Sequence, residues 1–273
     1  MRTIAHISDL HFGRIDPATL PALADVLRAQ QPDVVAISGD LTQRARKRQF
    51  ADARQFIDTL PGAKIVVPGN HDVPLYNVLA RWLWPLANYR RYVTPDLEPF
   101  FADPEMGIAG VNTARSLTWK SGRINQRQVE ASCARFGALD EGAMRVLVTH
   151  HPFDAADDSH HHDIVGRSQM AMAKFSECKV DLILTGHLHE SSARESGYRY
   201  EGLGHSTLFI QAGTATSRRT RRSANSWKLI RIDGTELSVT CWVWDPDRRS
   251  FAPGRTDSFR RAPGGWQKLD SGA

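Results

Sequence analysis

Three cysteines in 273 residues are too few and too scattered to organise this chain. Cys133, Cys178 and Cys241 are odd in number and show no paired spacing, so neither a disulfide framework nor a sulfur metal site is expected. No apolar run approaches the length of a membrane span. Strand-like residues begin at Thr3, which leaves no room for a signal sequence, and a reducing cytoplasm is the expected location. There is no internal repeat. Aromatic residues make up 8% of the chain without forming a stacking motif or a base-reading helix, so nucleic acid is not expected as a partner. What is abundant is basic charge: the net charge of +5 favours anionic substrates while saying nothing about fold. With 41% hydrophobic residues, the length suits one large α/β domain over residues 1–244, with a peripheral insertion near 75–104. Residues 245–273, rich in Pro, Gly, Arg and Ser, read as an irregular tail.

Five short pieces stand out against this background: Asp9-Leu10-His11, Gly39-Asp40, Gly69-Asn70-His71-Asp72, His150-His151 and Gly186-His187-Leu188-His189. Each follows an apolar, β-branched run, at residues 3–7, 34–37, 65–67, 146–148 and 182–184. Such runs, ended by Gly, Pro, Asp or Asn, predict buried strands. Helical spacing at residues 20–27 and 50–60 separates the first three, and an alternation of this kind implies a covered, mostly parallel sheet with right-handed crossovers. Further helices are predicted at 126–139 and 168–178, and further strands at 106–112, 208–213, 227–232 and 237–244. In open α/β sheets the working groups gather beyond the carboxyl ends of the strands. One pocket therefore collects all five pieces.

That pocket would hold two carboxylates (Asp9, Asp40), one amide (Asn70) and four imidazoles (His11, His150, His187, His189), with no thiolate near them. A mixed oxygen and nitrogen set suits borderline divalent ions or ferric iron. Seven ligands exceed one tetrahedral ion but suit two ions sharing a bridge, and a carboxylate such as Asp40 can span the roughly 3.5–4 Å between them. His187 and His189 alternate along an extended segment, so both rings leave on one side and enter one cluster. Two cations lower the pKa of a bound water enough to give a hydroxide nucleophile near neutral pH, and they clamp phosphoryl oxygens during in-line displacement. They do not supply a proton for the departing alkoxide. His71, kept protonated by nearby Asp72, could supply it. Each piece alone also reads as a turn or polar loop. The inference rests on their order and their common place at strand ends.

Taken in order, these motifs resemble the calcineurin-like metallophosphoesterase superfamily, with a match running from Asp9 to His189. The resemblance implies a four-layer αββα sandwich, two mixed β-sheets flanked by helices, holding manganese, iron or zinc. It implies that Asp9, His11 and His189 hold one ion, that Asn70, His150 and His187 hold the other, and that Asp40 bridges. His71 then matches a residue beside the scissile phosphate, with Asn70 also near substrate, and Asp72 matches its orienting acidic partner. Residues 7–12 and the Asp72 ending are most similar to class III cyclic-nucleotide phosphodiesterases and glycerophosphodiesterases. The serine/threonine phosphatases usually carry Glu at that ending. The related UDP-diacylglucosamine pyrophosphatases commonly carry Arg where His71 stands, and the repair nucleases usually have longer capping regions.

The expected activity is hydrolysis of a small phosphodiester, with a 3′,5′-cyclic nucleotide first. Broad phosphoesterase, lipid-precursor pyrophosphatase and non-catalytic scaffold remain as alternatives, and a homodimer or larger homo-oligomer is open. Three segments are candidates for choosing the substrate: residues 76–92, with Trp82, Trp84, Tyr89, Arg81, Arg90 and Arg91, as an insertion lining the entrance or a subunit interface; residues 154–163, with Asp157, Asp158, His160, His161 and His162, as a mobile lid with accessory metal affinity; and Arg218, Arg219, Arg221 and Arg222, as a loop steering a phosphate or an acidic partner. Ordinary packing or a solvated loop is the competing reading of each. His151 would face away or touch substrate, and its role stays open.

Overall fold

The computed structural model describes residues 1–116, 120–154, 162–189, 191–195, 199–200, 202–218, 224–263 and 265–269. Thirteen strands form two mixed sheets. At the centre of the first sheet, β1 (Arg2–Ile7), β2 (Val34–Ile37) and β3 (Ala63–Val66) run parallel. On the other side of β1, antiparallel pairing adds β10 (Ser226–Asp233), β11 (Glu236–Asp245), β12 (Ser250–Ala262) and β13 (Gly265–Leu269). The second sheet has parallel β5 (Met106–Gly110), β6 (Met144–Val148), β7 (Leu182–Thr185) and β9 (Leu208–Gln211). Its antiparallel edges are β4 (Phe100–Ala102) and β8 (Ser192–Glu195).

Strand alternation generates the layers. Along β1 and β2, Ile4, Val34 and Ala36 point into a core shared with Ile108, Val146, Leu184 and Ile210 of the second sheet. Their neighbours Ala5, Ile7, Val35 and Ile37 point the other way, beneath α1 (Thr19–Gln30) and α2 (Lys47–Asp58). Those helices answer with Leu23 and Leu27, and with Phe50, Ala53 and Ile57, at the three- and four-residue spacing of one helix face. On the far side, Ala109, Leu147 and Ile183 pack under α5 (Gln126–Gly137) and α6 (Ser168–Glu177) through Val129, Phe136, Met172 and Phe175. The start of α5 is fixed reciprocally: Gln128 N–H donates to Asn125 Oδ1 at 3.0 Å, and Asn125 N–H donates to Gln128 Oε1 at 3.2 Å. The result is the four-layer sandwich. Two short helices, α3 (Val78–Leu83) and α4 (Ala87–Tyr92), lie within the segment expected to be an insertion, and β4 lies near its end. No helix among the described residues is long and apolar enough to cross a membrane.

Two expectations are corrected. Residues after Asp245 do not form an irregular tail: β12 and β13 complete the first sheet. Pro253 and Gly254 obscured this in the sequence, and the ladder accommodates them with a register shift opposite Thr240 and Trp242. Cys133 and Cys178 form a disulfide. They lie 45 residues apart, on α5 and just after α6, and the packing of those helices brings their Cα atoms to 5.5 Å. Linear spacing does not reveal such a pair, and a bridge of this kind persists best in oxidising surroundings. Cys241 is free.

Candidate metal centre

The carboxyl ends of β1, β2 and β3 in one sheet, and of β6 and β7 in the other, open onto the same place. Asp9 and His11 follow β1, Asp40 follows β2, Asn70–Asp72 form a single 3-10 turn after β3, His150 follows β6, and His187 and His189 follow β7. The backbone is forced into an unusual shape to deliver them. Of ten non-glycine residues with positive φ among the described residues, five are Asp9, His11, Asp40, His187 and His189, at φ between 51° and 73°. Each such residue costs on the order of 1–3 kcal/mol, and strain of this sort persists where surrounding contacts hold it. Here every carboxylate and ring named below has such contacts.

Two groups of ligand atoms emerge. In the first, buried Asp9 Oδ1 lies 3.5 Å from both His11 Nε2 and His189 Nε2 and accepts no hydrogen bond among the described residues. The other oxygen, Oδ2, is occupied by the Ser8 hydroxyl at 2.7 Å and the His187 N–H at 3.1 Å. In the second group, Asn70 Oδ1, His150 Nε2 and His187 Nδ1 lie 3.0, 3.1 and 3.3 Å apart pairwise. Asp40 stands between them. Its Oδ1 is 3.5 Å from His150 Nε2, and its Oδ2 is 3.9 Å from His11 Nε2. This is the placement a bridging carboxylate needs. Close approach also requires Gly69 and Gly186, where a Cβ would strike the Asp40 carboxylate and the Ser8 hydroxyl.

The far nitrogens of His150 and His189 are hydrogen-bonded and that of His187 faces a carboxylate, which sets which nitrogen of each points inward. His150 Nδ1 donates to the Ser38 carbonyl at 2.7 Å, leaving Nε2 a free lone pair facing the cluster. His189 Nδ1 pairs with the Thr214 hydroxyl at 2.7 Å, and its Nε2 faces Asp9. His187 turns Nδ1 to the cluster, with Nε2 3.8 Å from Asp163 Oδ1. Imidazole lone pairs converging with carboxylate and amide oxygens fit cations held in two places. Electrostatics agree: burial raises the Asp9 and Asp40 carboxyls, but neighbouring imidazoles outweigh it and hold both below the ordinary carboxylate range.

His71 and Asp72 part company. The His71 N–H donates to Asp40 Oδ1 at 2.8 Å, its ring Nδ1 pairs with the Gln43 carbonyl at 3.1 Å, and its Nε2 lies 4.0 Å from Asp40 Oδ2. The Asp72 carboxylate, expected to orient His71, instead accepts from the N–H groups of Leu41, Thr42 and Gly69 and from the Thr42 hydroxyl, at 2.9 to 3.1 Å. Buried and near Asp40, it is pushed up to about 6 despite those donors. Its work in the structure is to bind the loop after β2 to the loop after β3. Sequence reasoning could not find Gln43, because the orienting group is a main-chain carbonyl with no side-chain signature. Ser8, Ser38 and Thr214 were missed for a similar reason, since hydroxyls and carbonyls near strand ends carry no motif; Asp163 closes the segment 154–163 singled out in the sequence, where nothing tied it to His187.

His151 does not face away. It is buried, with Nδ1 2.8 Å from the Thr113 hydroxyl, its ring centre 4.8 Å from that of His187, and its acidity shifted so that burial keeps it neutral. Of the segment 154–163, Asp157, Asp158, His160 and His161 lie outside the described residues, as do Arg219, Arg221 and Arg222. Tyr89, from the segment 76–92, is a core residue whose hydroxyl donates to the Val66 carbonyl at 2.9 Å.

Comparison with known proteins agrees with this geometry. The chain is 25% identical over 279 residues to a Synechococcus protein named a probable cyclic nucleotide phosphodiesterase, covering 92% of this chain and 95% of that one. It is 36% identical over 81 residues to the glycerophosphodiester phosphodiesterase GpdQ of Enterobacter lignolyticus, covering 25% of this chain and 29% of that one. Among solved structures, purple acid phosphatase PPD1 of yellow lupin superposes with a TM-score of 0.70 at 12% identity, over 93% of this chain and 53% of that one, a likeness of fold. The model of the calcineurin-like phosphoesterase family matches residues 2–191, and the chain belongs to that family of metal-dependent phosphoesterases.

Proposed function

We propose that the chain hydrolyses a small phosphodiester at a two-metal centre, with a 3′,5′-cyclic nucleotide as the leading substrate. The observation that carries the two-metal reading is Asp40, whose two oxygens face the His150 and His11 groups separately. In this reading Asp9, His11 and His189 would hold one ion and Asn70, His150 and His187 the other, with Asp40 shared between them. Manganese, iron and zinc all suit that donor set. Such ions, when bound, would supply charge to neutralise the phosphoryl oxygens and to acidify a water into a nucleophile. The chain supplies the rest. Ser38, Thr214 and Asp163 hold the rings in the required orientation, and Asn70 and His71 border the phosphate. His71, with Nδ1–H held by the Gln43 carbonyl, carries its transferable proton on Nε2 and delivers it to the departing alkoxide.

The cyclic-nucleotide assignment is supported by the Synechococcus relative, which matches nearly end to end. A glycerophosphodiester is the second reading, supported by the more identical but shorter match to GpdQ. The scaffold alternative is disfavoured by the completeness of the ligand set. The test is to strip the protein of metal and assay it with added manganese on bis-nitrophenyl phosphate, then on cyclic nucleotides, glycerophosphodiesters, a nucleotide-sugar pyrophosphate and simple monoesters. Metal-dependent cleavage with preference for the cyclic diester is expected. No activity with any divalent ion would overturn the enzymatic mechanism, and preference for another ester would overturn the substrate.

A further inference from the structure

Helix α3 is built inside out. Its one buried residue is Arg81, which donates from Nε to the Ser116 carbonyl at 2.7 Å and from a terminal nitrogen to the Pro74 carbonyl at 3.0 Å. With the arginine anchored inward, the apolar side chains point out. Tyr76, Val78, Leu79, Trp82, Leu83 and Trp84 are 43–76% exposed, and among the described residues the only other exposed large apolar residue is Met1. Folded monomers rarely leave such a patch uncovered.

The surroundings of the patch say what covers it. No acidic residue occurs between Asp72 and Asp96, or between Asp40 and Asp52. The Arg44 guanidinium sits 5.2 Å over the Tyr76 ring, and Asn88 donates to the Ala45 carbonyl at 3.0 Å, so the basic start of α2 adjoins the patch. Exposed Arg46 and Lys47 follow Arg44 on that side, and exposed Arg90 of α4 lines one cavity with Leu83 and Trp84 and a neighbouring one with Asp96 and Glu98, giving the patch a basic border; Arg48 faces Asp52 at 4.0 Å and is not counted. A second copy meeting this patch symmetrically would press the two borders together. An anionic bilayer surface offers the opposite charge, and Trp and Tyr favour the headgroup boundary because they bury a ring while keeping a polar group in water.

We propose that residues 76–84, with the basic border of Arg44, Arg46, Lys47 and Arg90, dock the protein on an anionic phospholipid surface. The patch begins four residues after Asp72, in the segment that follows the turn carrying Asn70 and His71. The proposal stands independently of which ester is cleaved.

Cosedimentation of the full chain with vesicles of phosphatidylcholine alone, or of phosphatidylcholine mixed with phosphatidylglycerol, tests it. Binding to the mixed vesicles only is expected, with a blue shift of tryptophan emission and release as salt is raised and the border is screened. The triple variant Leu79→Ser/Trp82→Ser/Trp84→Ser should lose binding at least tenfold, and so should Arg46→Glu/Lys47→Glu, with circular dichroism confirming that both fold. Absence of binding to mixed vesicles would overturn the proposal, as would undiminished binding by the triple variant. Dimeric wild type that the triple variant converts to monomer, without vesicle binding, would overturn it by assigning the patch to a second copy.

Discussion

His71 and Asp72 are chain neighbours that face different tasks. His71 aims Nε2 at the centre while the Gln43 carbonyl holds Nδ1–H. Replacing it with Gln should slow hydrolysis of a diester with a poor leaving group on the order of 10²-fold or more, and an activated nitrophenyl diester much less, as expected for loss of a general acid. Equal losses on both esters would show electrostatic stabilisation instead. Asp72 receives three backbone N–H groups and a hydroxyl. Asp72→Asn should destabilise the protein by about 2 kcal/mol or more, because buried donors lose an acceptor. Its leaving-group dependence should stay that of the wild type. Unchanged stability in denaturant titration together with the His71→Gln kinetic signature would restore the orienting role. The residues of the candidate metal centre were legible because their side-chain types directly follow apolar runs. The groups that aim them were not, since a carbonyl such as that of Ser38 or Gln43 belongs to every residue.

At the scale of elements, β1 shows how a strand serves core and site together. Its alternation buries Ile4 between the sheets and Ile7 under the helices, then ends at Ser8-Asp9. His6 lies on the intersheet side, within the barrier between core and site, 2.9 Å from the Ser38 hydroxyl and opposite Lys228 of β10. Burial, with Lys228, pushes it down to about 3. The unfolded chain takes up that proton near pH 6.5, so stability from neutral His6 is full above that pH and declines as pH falls from about 6.5 toward 3. His6→Gln keeps a partner for Ser38 and cannot titrate, so stability should fall less between pH 8 and pH 5 than in wild type. Identical losses in the two proteins would contradict the assignment. The central strands and long helices were readable because their apolar periods are strong. β12 was not, because Pro253 and Gly254 sit where the ladder shifts register, and neither was the Cys133–Cys178 bridge, which depends on how two distant helices pack.

For the whole molecule, two sheets whose strand ends converge explain why residues from position 9 to position 189 can share one site. β1, β2 and β3 bring Asp9, His11, Asp40 and Asn70 from one sheet, while β6 and β7 bring His150, His187 and His189 from the other. The site is therefore a property of the sandwich, and the division of its candidate ligands around Asp40 is the central claim of the proposed function. The most direct test is a crystal structure of the manganese-loaded protein with anomalous scattering. It should show two peaks roughly 3.5–4 Å apart, one against Asp9, His11 and His189 and the other against Asn70, His150 and His187, with Asp40 touching both. A single peak, or two peaks that do not share Asp40, would contradict the account.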